Sequence, residues 1–319
     1  MHNWEGMDAM SKEISWPFVP DESSGGNGER SDDELLAELL SRLALEWAHE
    51  YNTTPLDELG GLTPLQAHQL MYTEVDDPAC PLKLADDLSE EEVLSSRFFR
   101  NARLFLATMD EMGGVKATQA GNLPRKFVAA IFPRLEIEEW KRQFIENYKV
   151  INEADLWPLH KARVVCEVGR LLSRRKGRFR LTKKAKGLLA GPAGALYRHL
   201  FYTYFYRYNI AYRWGGREYP EIQAFANFGL YRLGQLCQQW QSPKRITEEI
   251  YIKGLLIEEE EDPSPYPDLE WAVESTFLRP LTEFGLLEQR RGKVEPISMN
   301  RRYRVTRLFD RFLIFEWRS

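Results

Sequence analysis

The chain has 319 residues, 43% of them hydrophobic and 29% charged, with a net charge of -5, which suits a globular protein of two domains and a third small helical unit. No apolar run reaches the roughly 18 residues needed to span a bilayer, and no charged-then-apolar leader opens the sequence, so a cytoplasmic location without a membrane partner is expected. Cys80, Cys166 and Cys237 are odd in number and far apart, so neither a disulfide framework nor a zinc knuckle is suggested.

Residues 1–32 pass through DESSGGNGERSDD, whose Gly, Ser and charge content favours flexibility, with Trp16, Pro17 and Phe18 free to dock on the body or a partner. Residues 33–95 read as an N-terminal helical region. From Asp33 to Glu50 leucines recur at three- and four-residue steps, an amphipathic helix whose stripe is expected in the core. Thr54–Pro55 and Thr63–Pro64 each place a hydroxyl cap before a proline suited to the first helical position, with Gly60 and Gly61 between them. His68 has no Cys or His at ligand spacing and reads as structural. Val75 to Leu88 reads as a connection.

Residues 96–191 carry the most informative pattern. Ser96 to Glu111 is a helix with Phe98, Phe99, Leu104, Phe105, Leu106 and Met109 on an apolar face, ended by Gly113 and Gly114. Val115 to Thr118 can form a short strand, and Gly121 to Phe132 a helix with Pro124 in its first turn. Pro133 to Asn152 reads as an insertion. Asp155, a candidate N-cap, then opens a helix with Leu159, Ala162, Val165, Cys166 and Leu172 at helical spacing and Gly169 near its end. SRRKGR follows, with Lys176 and Gly177 as the turn of a hairpin, and Thr182 can cap the next helix. Helix, short strand, helix, helix, hairpin is the winged-helix order.

Between Lys161 and Lys186 lie Lys161, Arg163, Arg170, Arg174, Arg175, Lys176, Arg178, Arg180, Lys183, Lys184 and Lys186, against the single acid Glu167. In an acidic chain this is a local concentration of one sign, which reads either as a solvated hairpin or as a polyanion contact.

The segments GGLTPLQAHQLMY, GGVKATQAGNLPRKFV and GRLLSRRKGRFRLTKKAKGLL resemble an uncharacterised bacterial family built on a GL[ST]P-Q segment, a K-x-T-x-x-GNLPRKFV segment and a basic wing. The resemblance covers about Pro55 to Leu189 and implies a winged-helix fold but no activity. Some members of that family carry a Cys-rich metal-binding tail or a passenger domain of mobile elements; neither is evident in this sequence, so no metal is implied.

Residues 192–241 form an aromatic connector, crowded with Tyr, Phe, Trp and Arg, expected as two helices broken at Gly215, Gly216 and Pro220. Buried rings are the preferred reading over nucleobase stacking. Residues 242–319 echo the earlier module: GLLEQRRGKVEPISMNRRYRVTR, Gly285 to Arg307, matches Gly169 to Lys183 in its glycine, leucines, paired arginines and closing threonine. Arg245 to Thr247 would be its short strand, Glu248 to Leu256 its second helix, Leu269 to Phe284 its third, and Leu308 to Trp317 a closing helix. Glu258 to Asp268 reads as an exposed acidic loop. The expected fold is mainly α with short β-hairpins: tandem winged-helix modules joined by an aromatic-rich helical region.

No GxxxxGK[ST], GxSxG or HExxH motif occurs, so no catalytic residue, metal site or cofactor is assigned and a non-enzyme is expected. The acid pairs Asp32–Asp33 and Asp76–Asp77 read as solvated turn residues. Two readings remain. In one, the third helix enters a duplex groove with Lys161 and Arg163 near bases, while Arg174, Arg175, Lys176 and Arg178 meet phosphates and Arg170, Arg180, Lys183, Lys184, Arg290, Arg291 and Lys293 extend the basic surface. In the other, the winged helices are a scaffold: the acidic N-terminal helices and the aromatic middle form an interface with a second copy or another protein, and the basic wing meets an acidic partner surface.

Overall fold

Apolar residues at three- and four-residue spacing make the chain mainly helical, with short antiparallel strands. The computed structural model describes residues 32–212, 218–254, 256–257, 268–291 and 301–317. Residues 1–50 and 51–319 are two separate units. The first contributes most of α1 (Asp32–Thr53), on which Leu36, Leu40, Leu43 and Trp47 are each more than half exposed. The leucine stripe expected in the core therefore faces solvent: periodicity defines a face but not what covers it.

In the second unit, α2 (Pro64–Tyr72) starts with a capping box, Thr63 Oγ1 accepting from the Gln66 N–H at 3.1 Å and Gln66 Oε1 from the Thr63 N–H at 3.0 Å. At Thr54–Pro55 no such start forms, since α1 runs through Thr53 and a 3-10 turn follows at Asp57–Leu59. The connection after α2 contains β1 (Leu82–Leu84), followed by α3 (Glu90–Val93).

Then comes α4 (Arg97–Glu111), capped by Ser96 Oγ accepting from the Phe99 N–H, and β2 (Val115–Lys116), α5 (Arg125–Ile131) and α6 (Glu139–Glu146) follow. Next are α7 (Trp157–Val168), β3 (Leu172–Arg175), β4 (Arg178–Leu181) and α8 (Lys183–Ala190). The three strands form an antiparallel sheet in the order β2-β4-β3, with Val115 and Arg174 both opposite Phe179. Phe99, Phe105, Phe127, Leu159, Val165 and Phe179 are fully buried between sheet and helices. Asp155 does not cap α7: it lies in a 3-10 turn, Glu153–Asp155, and accepts from the Asn152 N–H at 2.8 Å.

The aromatic stretch forms α9 (Ala193–Tyr206), α10 (Pro220–Ala224) and α11 (Ala226–Leu236); Gly215 and Gly216 lie outside the described residues. Many of its rings are core: Tyr197, Phe201 and Phe205 are fully buried, and the Tyr197 hydroxyl donates to the Phe284 carbonyl at 2.8 Å, whereas Tyr212 is 47% exposed. α12 (Pro243–Thr247) runs into a π turn, Glu248–Ile252, and α13 (Asp268–Val273) passes through another, Glu274–Leu278, into α14 (Arg279–Glu283). β5 (Leu287–Arg291), β6 (Arg301–Val305), α15 (Arg307–Phe312) and β7 (Leu313–Phe315) complete the chain. Two local expectations are corrected. Arg245 to Thr247 are helical, and the short extended position is Gln241, which bridges Tyr303 on β6. The closing helix ends at Phe312 and continues as β7, which pairs with β1 with Leu82 opposite Phe315.

The two helix–hairpin segments repeat in hydrogen-bonding detail. Arg170 and Gly285 both have positive φ, 57° and 79°, after a helix end. The next residues, Leu171 and Leu286, donate back to Cys166 and Leu281 at 2.8 and 2.9 Å. The Thr182 and Thr306 amides donate to Leu171 and Leu286, both at 3.0 Å, and their hydroxyls to the Arg170 and Gly285 carbonyls at 2.9 and 2.7 Å. The same hydroxyls accept from the Ala185 and Phe309 amides. By element order α11 is the first helix of the second repeat, although its sequence blends into the aromatic stretch.

Candidate polyanion interface

The β3–β4 hairpin closes through Lys176 and Gly177, whose φ values of 49° and 68° are the positive pair that a tight two-residue hairpin turn requires. A second glycine lets β2 approach: a Cβ on Gly114, at φ 85°, would lie 2.4 Å from the Phe179 carbonyl oxygen. The resulting register sorts the side chains. Val115, Leu172, Phe179 and Leu181 share the face toward the helices, and Lys116, Ser173, Arg175, Arg178 and Arg180 share the other.

Lys116, Arg178 and Arg175 stand directly opposite one another in one row across the three strands, and all are exposed. Like charges in such positions destabilise a sheet unless something of opposite sign meets them. Among the described residues no carboxylate lies within ion-pair distance of Lys116, Arg174, Arg175, Lys176, Arg178, Arg180, Lys183 or Lys184; Arg178 donates only to the Gly114 carbonyl, at 3.2 Å. Lys186 differs, pairing with Asp110 at 2.9 Å. Arg170 is exposed at the helix–hairpin corner.

Lys161 and Arg163, expected near bases, are 5% and 7% exposed and do not reach the surface. Lys161 pairs with Glu283 of α14, its ammonium within 6.0 Å of the Phe98, Trp157 and Tyr204 ring centroids. Arg163 pairs with Glu153 at 2.5 Å and with Glu167, and lies over the Phe179 ring. The physical reason is desolvation, since a cation inside the fold requires an acid, and Glu153 and Glu283 supply it from other elements. Glu153, 1% exposed, also accepts from the Leu123 amide at 2.5 Å and from His160 at 2.8 Å. Burial pushes its carboxyl pKa up, but His160, the Leu123 N–H and Arg163 outweigh that and hold it below the ordinary value.

On the second hairpin Arg290 is exposed, with its guanidinium 4.4 Å from the Trp240 ring centroid, and Arg304 lies over the same ring at 4.8 Å while pairing with Glu288 at 2.7 Å. Arg291 pairs through its backbone with Arg301, and Lys293 lies outside the described residues, as does the acidic stretch 258–267. The structure thus places Lys116, Arg175, Arg178 and Arg180 on one sheet face and Arg174 on the other, sets Lys161 and Arg163 inside, and engages Arg290 and Arg304 of the second hairpin. Lys116 was missed; its signal was the alternation of Val115 and Lys116 in the strand already expected there. Among the described residues no group of three His, Cys, Asp or Glu converges as metal ligands, and no helix is long and apolar enough to cross a membrane.

Residues 94–194 are similar to the Y4jL N-terminal domain family. That match takes in the helices and basic hairpin of the first repeat and stops before the second; the family has no stated function. No curated protein and no solved structure matches the chain.

Proposed function

We propose that the two repeats are tandem winged helices and that the protein binds nucleic acid, in duplex form, through the first hairpin. Support for the fold comes from the strand order β2-β4-β3 behind three helices and from the hydrogen bonds shared with the second repeat. The single observation that carries the binding reading is the Lys116–Arg178–Arg175 row, exposed and without acid partners among the described residues. A duplex backbone supplies the missing negative charge along a line. The test is retention of the full chain on a duplex at about 50 mM salt, with log affinity falling linearly against log salt by about 0.9 per phosphate contact. No retention at low salt contradicts the reading.

A second reading, a protein-interaction scaffold, draws on α6. Trp140 and Phe144, each 61% exposed, lie one helical turn apart on α6, and Tyr148, 40% exposed just past the helix end, meets the Phe144 ring edge-on. Light scattering tests it: self-association that Trp140→Ala with Phe144→Ala abolishes supports an interface there, and a strict monomer removes self-association.

A further inference from the structure

We infer that the first hairpin reads the backbone of a double helix and not its bases, an inference that rests on the nucleic-acid reading above. Bidentate base recognition in a groove needs Arg, Lys, Asn or Gln side chains presented to base edges. α7, the helix in position to do this, is WPLHKARVVCEV, and its donors of those types, Lys161 and Arg163, are consumed internally by Glu283, Glu153 and Glu167. Its remaining surface is closed or apolar apart from Glu167, which Arg163 holds. Leu159, Ala162, Val165 and Cys166 are fully buried, His160 stacks between Trp157 and Tyr212, and Val168 is 39% exposed.

Single strands are held largely by base stacking on aromatic rings. The cationic sheet face presents Lys116, Ser173, Arg175, Arg178 and Arg180 and no ring. What it does present fits phosphates: three strands about 4.8 Å apart spread the Lys116–Arg178–Arg175 row over roughly 10 Å, a length in which one strand of a duplex carries about three phosphates.

The experiment is fluorescence anisotropy of the full chain from about 50 to 200 mM salt, on A·T-rich, G·C-rich and mixed duplexes of one length and on the matching single strands. Expected are duplex affinities within about threefold of one another and single strands at least about tenfold weaker. Arg175→Gln with Arg178→Gln lowers the salt slope by about 1.8 on every duplex, and Lys116→Gln, on a different strand, lowers it by about 0.9. A duplex preferred about tenfold over the others, or single strands bound as tightly as duplexes, overturns the inference while leaving nucleic-acid binding in place. No binding to any duplex at about 50 mM salt overturns both.

Discussion

The two hairpins stand on the same frame and differ in what becomes of their charge. Counting from the shared threonines, Arg180 corresponds to Arg304, Arg178 to Arg302 and Arg175 to Arg290. Their neighbours correspond only in part, since Arg302 is exposed opposite Arg290 as Arg178 is opposite Arg175. Opposite Arg180 is Ser173, whereas opposite Arg304 is Glu288, which pairs with it; Lys116 opposite Arg178 has Ser242 at the matching place beyond the Gln241–Tyr303 bridge. Trp240 then lies under Arg290 and Arg304. Equal numbers of arginine in a repeat therefore say little about binding; an acid across the strand, as at Arg304, or a ring beneath, as at Arg290, engages a cation that Arg180 and Arg175 leave available to a ligand.

Below the surface the comparison runs the other way, because each hairpin rests on a buried glutamate. Glu153 holds Arg163 under Phe179, and Glu274, 3% exposed, accepts from the Tyr303 hydroxyl at 2.8 Å and pairs with Arg301 and Arg279. Removing one partner of a buried pair leaves the other charge uncompensated. Glu153→Gln and Glu274→Gln should each lower stability by about 3–5 kcal/mol in denaturant titrations, the largest effect expected. A change below about 1 kcal/mol at either would mean that the pair is not sealed from solvent.

Next in size is binding. Arg175→Gln with Arg178→Gln should weaken duplex affinity at least about tenfold at physiological salt, while Arg290→Gln with Arg302→Gln leaves it within about twofold. A single exchange sharpens the contrast further: Ser173→Glu gives Arg180 the partner that Arg304 has and should weaken duplex affinity by about threefold to fivefold, read by anisotropy. The reverse exchange, Glu288→Ser, removes only a half-exposed pair and should move stability by less than about 1 kcal/mol.

Acid should separate the two foundations as well. Because the folded-state pKa of Glu153 is depressed, its contribution is present above the ordinary glutamate value of 4.5 and is lost as pH falls through the folded-state value. Glu270, beside the second foundation, has its pKa raised by burial and then by Glu274, so its charge opposes folding at neutral pH and acidification relieves it. Glu270→Gln should therefore raise the melting temperature slightly at pH 7, and Glu153→Gln should flatten the loss of stability below about pH 4.5.

Where punctuation is local, the fold was legible. Thr63 before Pro64, Lys176–Gly177 between two alternating runs and Thr182 before α8 each act within a few residues, and each is found as expected. β1 and β7 were not legible, since two three-residue strands more than two hundred positions apart pair only after the body has folded. Gln241 was hidden for the same reason, its bridge being one residue long. At the candidate site the hairpin cations could be named from charge alone. The fate of Lys161 and Arg163 could not, because it depends on acids from other elements, Glu153 ten residues before Arg163 and Glu283 in the second repeat. Arg and Lys on a helix look the same in sequence whether they face a ligand or a buried carboxylate.

The most direct measurement is the slope of log duplex affinity against log salt for three full-length chains in parallel: the natural one, the Arg175→Gln, Arg178→Gln variant and the Arg290→Gln, Arg302→Gln variant. A flattening by about 1.8 in the first variant with an unchanged slope in the second is the expected result. Equal slopes in all three, or a flattening confined to the second variant, would contradict the assignment of the polyanion contact to the Lys116–Arg178–Arg175 ridge.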